Sequence, residues 1–205
     1  MTHSLLTLLH LIGAVVMTSG LLGVWIADVR SRQADDVTTF AEAAGYIRVF
    51  YDGLTLPGAL LLLISGGSLI GLYYGSSFLE HPWLVGMVTL FLFEFIEGNT
   101  VTRLAFMKLN REAKKSLQAG QFTPKRTQLQ KRNLPSFTHY LDLPLVLVII
   151  MLGVLRPYTW DLFIAGTLIA VFIAGTLTFL LPLLLKQGES KNIAELNQGS
   201  GQSRL

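Results

Sequence analysis

WLVGMVTLFLFEFIEGNTVTRLAFM, residues 83–107, decides how the rest of the chain is read. It is apolar on every face for longer than a soluble helix or strand tolerates. At about 20 residues per crossing of a roughly 30 Å hydrocarbon layer, it is long enough to span a bilayer. Two glutamates, Glu94 and Glu97, interrupt it, and Arg103 opens a basic run. One stretch therefore carries the three signals that matter: a membrane solvent, charge inside it, and an end marked by arginine.

Working outward, similar stretches occur at about 5–27, 54–74, 138–156 and 162–185. The fourth reaches spanning length only if its polar start is counted, which puts His139 and Asp142 in the membrane or at its edge. A mean hydropathy of +0.52 with 51% hydrophobic and 14% charged residues agrees with a chain solvated largely by lipid. The expectation is an all-α integral membrane bundle of five transmembrane helices over residues 1–187, with a basic loop at 108–135 and a disordered tail at 188–205. The first stretch is too long, and too poor in Lys and Arg before it, for a signal peptide, so it is read as a retained helix.

Nine Lys and Arg residues fall between Arg103 and Arg132, with only Glu112 against them, while Gly75 to Pro82 has none. The positive-inside rule then predicts the N-terminus out and the C-terminus in, in a bacterial inner membrane. Arg111, Lys114, Lys115, Lys125, Arg126, Lys131 and Arg132 read as topology signals and contacts to anionic lipid, and not as a nucleic-acid surface. Trp25, Trp83, Trp160, Tyr73, Tyr74 and Tyr158 sit at span ends as an interfacial belt.

Between the first two spans Asp36 is a helix cap, followed by Val37, Phe40, Ala44, Ile47 and Tyr51 at helical spacing. This predicts an amphipathic surface helix or an inward extension of the second span. Asp52-Gly53 and Pro57 predict a break or kink. Beyond them Ser65, Gly67 and Gly71 are spaced to admit a neighbouring backbone. The fifth span repeats Phe-Ile-Ala-Gly-Thr-Leu at 163–168 and 172–177. Gly166 and Gly175 are thus about half a turn out of phase, one free to pack in the bundle and the other against a second copy or a membrane partner.

Cysteine is absent, so thiolate metal sites and a cysteine nucleophile are excluded. No phosphate-cradling loop and no Ser/His/Asp arrangement is present, and nothing points to an enzyme. The candidates are the ionisable residues at membrane depth. His10 shares a helix face with Gly13, Met17 and Gly20, which leaves room for a flat ligand such as haem b, or lets the imidazole bond to a neighbouring helix. Glu94 with Glu97, and His139 with Asp142, each place two ligands on one face and together suit a divalent metal. Alternatively, Arg48, Asp52 and Arg103 satisfy these carboxylates as structural ion pairs, with Arg103 on Glu97 or Asp142. Three functions follow: a haem- or metal-binding membrane protein, a small proton- or cation-coupled transporter, or an accessory subunit of a membrane complex.

LHLIGAVVMTSG, residues 9–20, resembles the opening helix of a bacterial family of predicted integral membrane proteins of unknown function. Leu54-Thr-Leu-Pro-Gly58 and Leu155-Arg-Pro157 are similar to that family's later signposts, and the resemblance runs from Leu5 to Pro157. The His-then-Gly opening is also similar to copper-resistance D-like membrane proteins and to the haem-associated membrane oxidase of porphyrin synthesis. That likeness implies His10 as a cofactor- or metal-binding position.

Overall fold

The computed structural model describes residues 2–130 and 133–180, and among these there is helix and no strand. The order is α1 (Thr2–Gln33), α2 (Val37–Phe50), α3 (Leu56–Tyr73), α4 (Pro82–Glu97), α5 (Arg103–Ala119), α6 (Lys125–Gln130), α7 (Asn133–Leu155) and α8 (Asp161–Leu180). Five continuous helices are long and apolar enough to cross a membrane, because α2 runs on into α3 and α4 into α5. The tail expected to be disordered, and the end of the fifth stretch, lie outside the described residues.

Two π-helical turns make those continuations, at Tyr51–Thr55 and Gly98–Thr102. In the first, the Leu56 N–H bonds the Tyr51 carbonyl five residues back; in the second, the Arg103 N–H bonds that of Gly98. Pro57 explains the first, since it lacks an N–H and its ring crowds the carbonyl four residues before it, so the chain takes an extra residue instead of a clean break. A Cβ on Gly98 would lie 2.9 Å from the Tyr51 hydroxyl, so the two π turns face each other across a gap that only glycine allows.

At 1.5 Å per residue the 37-residue Val37–Tyr73 helix is about 55 Å long, well beyond a roughly 30 Å hydrocarbon layer. The excess extends the helix beyond the layer on its basic side, and the stretch expected as loop from 108 onward is helical as far as Ala119. There α2 and α5 close over Phe40, Ala44, Ile47, Leu109 and Ala113 as a small core like that of a soluble protein. Asp36 caps α2, accepting from the Thr39 N–H at 2.8 Å. Gly120, with φ 65°, ends α5. Arg126 lies 3.9 Å from the Phe122 ring centre and donates to the Ala34 carbonyl at 2.7 Å. One residue of the basic loop therefore ties the extension together instead of facing lipid.

In the membrane half, α7 is central. Half of its most apolar stretch is buried (50%), against 17% for α8, which packs on the outside. The dense seam is α1 against α3. Gly58 admits the Met17 backbone, Gly20 admits Thr55, and a Cβ on Gly13 would lie 3.1 Å from Leu62. Helices in lipid gain no hydrophobic drive from meeting, so close backbone approach at small residues supplies the attraction. Gly67 and Gly71, expected in that role, face open space; the close approach is at Gly58, about two and a half turns before Gly67, where α1 crosses. In α8, Gly166 packs on Val148 of α7, and Gly175 has no neighbour among the described residues.

Candidate functional site

The outer histidine sits in the tight seam. His10 Nδ1 is 3.1 Å from the Ser65 hydroxyl, which itself donates to the Leu61 carbonyl at 2.6 Å. With the hydroxyl proton so placed, His10 Nδ1 is the donor and Ser65 the acceptor. The ring lies against Gly66, whose Cβ would meet His10 Cε1 at 3.0 Å. The room that Gly13 and Gly20 leave beside His10 is filled by α3.

The inner set is arranged differently. Glu97, at the end of α4, accepts from the Thr102 hydroxyl at 2.8 Å, and Thr102 is 3.1 Å from the Thr138 hydroxyl. The second π turn turns Thr102 back towards Glu97. On α7, three residues apart, His139 Nδ1 approaches Asp142 Oδ2 at 3.5 Å, an ion-pair distance longer than a formed hydrogen bond. Pro144 follows, removing the backbone donor that the Tyr140 carbonyl would otherwise receive. His139 is 2% exposed and its ring stands edge-on to Phe106 at 5.0 Å. Glu94 is part-buried, and its Oε1 is shut from the surface without a hydrogen-bond partner. Glu94, Glu97 and Asp142 lie within electrostatic reach of one another.

Two small cavities flank this layer. One, of about 30 Å³, is lined by Asp28, Arg32, Thr102, Lys108, Ser136 and His139. The other, also about 30 Å³, is lined by Met17, Tyr51, Thr55, Glu94, Asn99 and Asp142. A water needs about 10–15 Å³ of such space, so each has room for roughly two. Neither admits a porphyrin or an organic substrate. Among the described residues no three His, Asp or Glu side chains converge to hold a metal ion. Glu97 is tied to Thr102, His139 stands in the wall of the first cavity, and Glu94 faces the second, so the four expected ligands do not close on one point.

Arg103 is committed elsewhere, with Nη2 3.0 Å from Asp52 Oδ1, while Arg48 Nε is 3.3 Å from Asp52 Oδ2. Asp52 belongs to the first π turn and Arg103 follows the second, so this cluster clamps the two turns and leaves Glu97 and Asp142 to other partners. Sequence reasoning passed over Asp28. It is fully buried on α1, with Oδ2 2.7 Å from Arg32 Nε and 3.4 Å from the Tyr140 hydroxyl, and Oδ1 has no partner. The available signal was an aspartate four residues before an arginine at the end of an apolar helix, a spacing that pairs them on one face.

A family model described as "Predicted integral membrane protein (DUF2269)" matches residues 4–157. The match takes in α1 to α7, with every candidate site residue, and stops before α8. No curated protein and no solved structure matches the chain.

Proposed function

The chain belongs to this family of predicted integral membrane proteins, and from that premise we propose that it moves protons, or a small cation, between its basic face and a carboxylate site inside the bilayer. The reading makes it a proton- or cation-coupled transporter of the bacterial inner membrane, N-terminus out and C-terminus in. Its basic extension then faces the cytoplasm by the positive-inside rule, where Lys114, Lys115 and Lys125 meet anionic lipid.

The observation that carries it is Glu94. Pro82 to Glu94 covers about 18 Å of helix, past the middle of a roughly 30 Å layer. There Oε1 has no hydrogen-bond partner, and the salt bridges of Arg32, Arg48 and Arg103 go to Asp28 and Asp52. An ionisable group at that depth costs a few kcal/mol. The cost is repaid in function when the group exchanges a mobile ion with water, and a water-sized cavity adjoins it. His10, bonded to Ser65 in a filled seam, and the unconverged inner ligands favour a passing ion over a resident haem or metal.

The test is ion flux in liposomes holding the purified protein and a trapped pH dye. Wild type should dissipate a pH gradient well above the protein-free leak, and Glu94→Gln should return the rate to that leak. Equal rates for wild type and Glu94→Gln would remove the proposal, as would a wild type no faster than empty liposomes.

A further inference from the structure

The cavity between α1, α5 and α7 has in its wall polar atoms that the Asp28–Arg32–Ser136 network does not satisfy. Asp28 is fully buried with Oδ1 unpartnered, and His139 is 2% exposed with neither ring nitrogen in a formed hydrogen bond. A buried polar group without a partner costs on the order of 1–3 kcal/mol, so two in one wall imply a partner that is not protein. The cavity is about 30 Å³, room for roughly two waters. It lies at the basic end of the bundle, where Lys108 and Ser136 also line it and Arg32 Nη2 reaches the Ser136 hydroxyl at 3.2 Å.

The second cavity, which contains Glu94, begins on the other side of one contact. His139 stands in the wall of the first cavity and Asp142 in the wall of the second, and 3.5 Å separates His139 Nδ1 from Asp142 Oδ2. We infer that the Asp28 cavity is the water-filled, basic-side vestibule of a half-channel for protons, with the His139–Asp142 contact as the step that joins it to the Glu94 cavity. This deepens the reading of Glu94 as an ion-exchanging group, rests on it, and names the ion and its side of entry. The vestibule has room for about two waters, and beyond it the 3.5 Å His139–Asp142 contact leaves no passage for a metal ion but suffices for a proton passed along hydrogen bonds.

The step balances. An excess proton from the basic-side solution reaches the vestibule as a protonated water, which passes it to His139 Nε2 and is left as neutral water; the Nδ1 proton passes to the Asp142 carboxylate. One O–H breaks as the Nε2–H forms, the Nδ1–H breaks as an O–H forms on Asp142, and the imidazole ends neutral as the other tautomer, to be reset by a ring flip. Asp142 then passes the proton through cavity water to Glu94. The groups facing His139 are Asp142 on its own helix, Phe106 and Lys108 on α5, Asp28 and Arg32 on α1, Thr102 in the second π turn and Glu97 at the end of α4. Asp28 neutralises Arg32 through their 2.7 Å contact, so the arginine does not oppose a proton in the vestibule.

The chain has no cysteine, so single thiols can be introduced cleanly. In oriented vesicles, Gln121→Cys marks the basic face, Ser136→Cys reports the vestibule and Thr55→Cys the Glu94 cavity. Each is exposed to silver ion from one side, and the thiols left free are counted by maleimide labelling after unfolding. Ser136→Cys should be protected by silver from the basic face alone, and Thr55→Cys should stay unprotected from that face. Protection of Ser136→Cys from the opposite face, or from neither, overturns the vestibule. Protection of Thr55→Cys from the basic face overturns the proton-only step. Flux in the wild type with an inaccessible Ser136→Cys removes the route and spares Glu94; an accessible Ser136→Cys without flux in the wild type removes the transport reading and spares the vestibule.

Discussion

His10 and His139 present the same problem in the sequence, each an imidazole in an apolar stretch with a small or acidic residue three positions on. Around His10, glycines bring α1 and α3 so close that the ring meets Gly66, and Nδ1 finds the Ser65 hydroxyl as its partner. Around His139, two π turns and Pro144 interrupt the regular helices, His139 stands in the wall of one small cavity, and Asp142, 3.5 Å away, stands in the wall of the other. Tight packing gives one membrane histidine a hydrogen-bond partner, and the other, beside irregular backbone, has none in a formed hydrogen bond. The comparison also explains why the polar residues gather on α7: it is the most enclosed span, so lipid never meets them.

The sharpest way to break the contrast is to change both histidines alike. His139→Gln should bring proton flux down to the liposome leak, and His10→Gln should leave flux near wild type; equal losses, read with the same trapped dye, would mean that the two histidines do not differ in role. Next in size is the seam. Gly58→Leu drives a side chain into the Met17 backbone and should cost about 1–3 kcal/mol, the usual range for overpacking. Gly67→Ala, facing open space, should instead gain about 0.5–1 kcal/mol from the better helix former. Thermal unfolding in one detergent separates the two, and similar shifts would show that the seam is not where the model of close approach puts it. Smaller again is Ser65→Ala, which removes the acceptor from His10 and should cost about 0.6 kcal/mol, typical of interhelical hydrogen bonds in membranes.

The smallest effect lies outside the bilayer, at the start of α2. Hydrogen bonds from Thr39, the backbone N–H first, hold the Asp36 carboxyl below the usual carboxylate range. A depressed folded-state value means that the cap stabilises fully above the unfolded value of about 3.9 and loses its effect as pH falls through the lower folded value. The protection factor of the first turn of α2, exchange taken relative to the intrinsic rate at each pH, should therefore fall at acid pH in wild type, and in Asp36→Ala it should be low already at neutral pH. A flat profile in wild type would remove the cap from the account.

Legibility followed how local each signal was. Asp36 capped the predicted helix because cap, first turn and periodicity lie within a few residues. Pro57 marked a disturbance in the right place, and the structure resolves the expected break or kink as a π turn, since both begin from the same missing N–H. Glu94, Glu97, His139 and Asp142 stood out as costly residues in lipid; which neighbour each would meet did not, because Thr102, Phe106 and Asp28 come from other helices. Asp28 was missed because it lies at the end of a span, where an aspartate usually reaches water.

By itself the sequence determined that the chain is a helical membrane protein with five crossings and one strongly basic side, since apolar length and loop charge act on each segment separately through the bilayer and its surface. The tertiary structure alone decided that His10 is paired, that Gly58 and not Gly67 makes the seam, and that the His139–Asp142 pair stands between two water-sized cavities. Those outcomes depend on how helices cross and on one extra residue in each of two π turns, which shifts the facing side chains, and no single stretch of sequence contains both sides of such a contact.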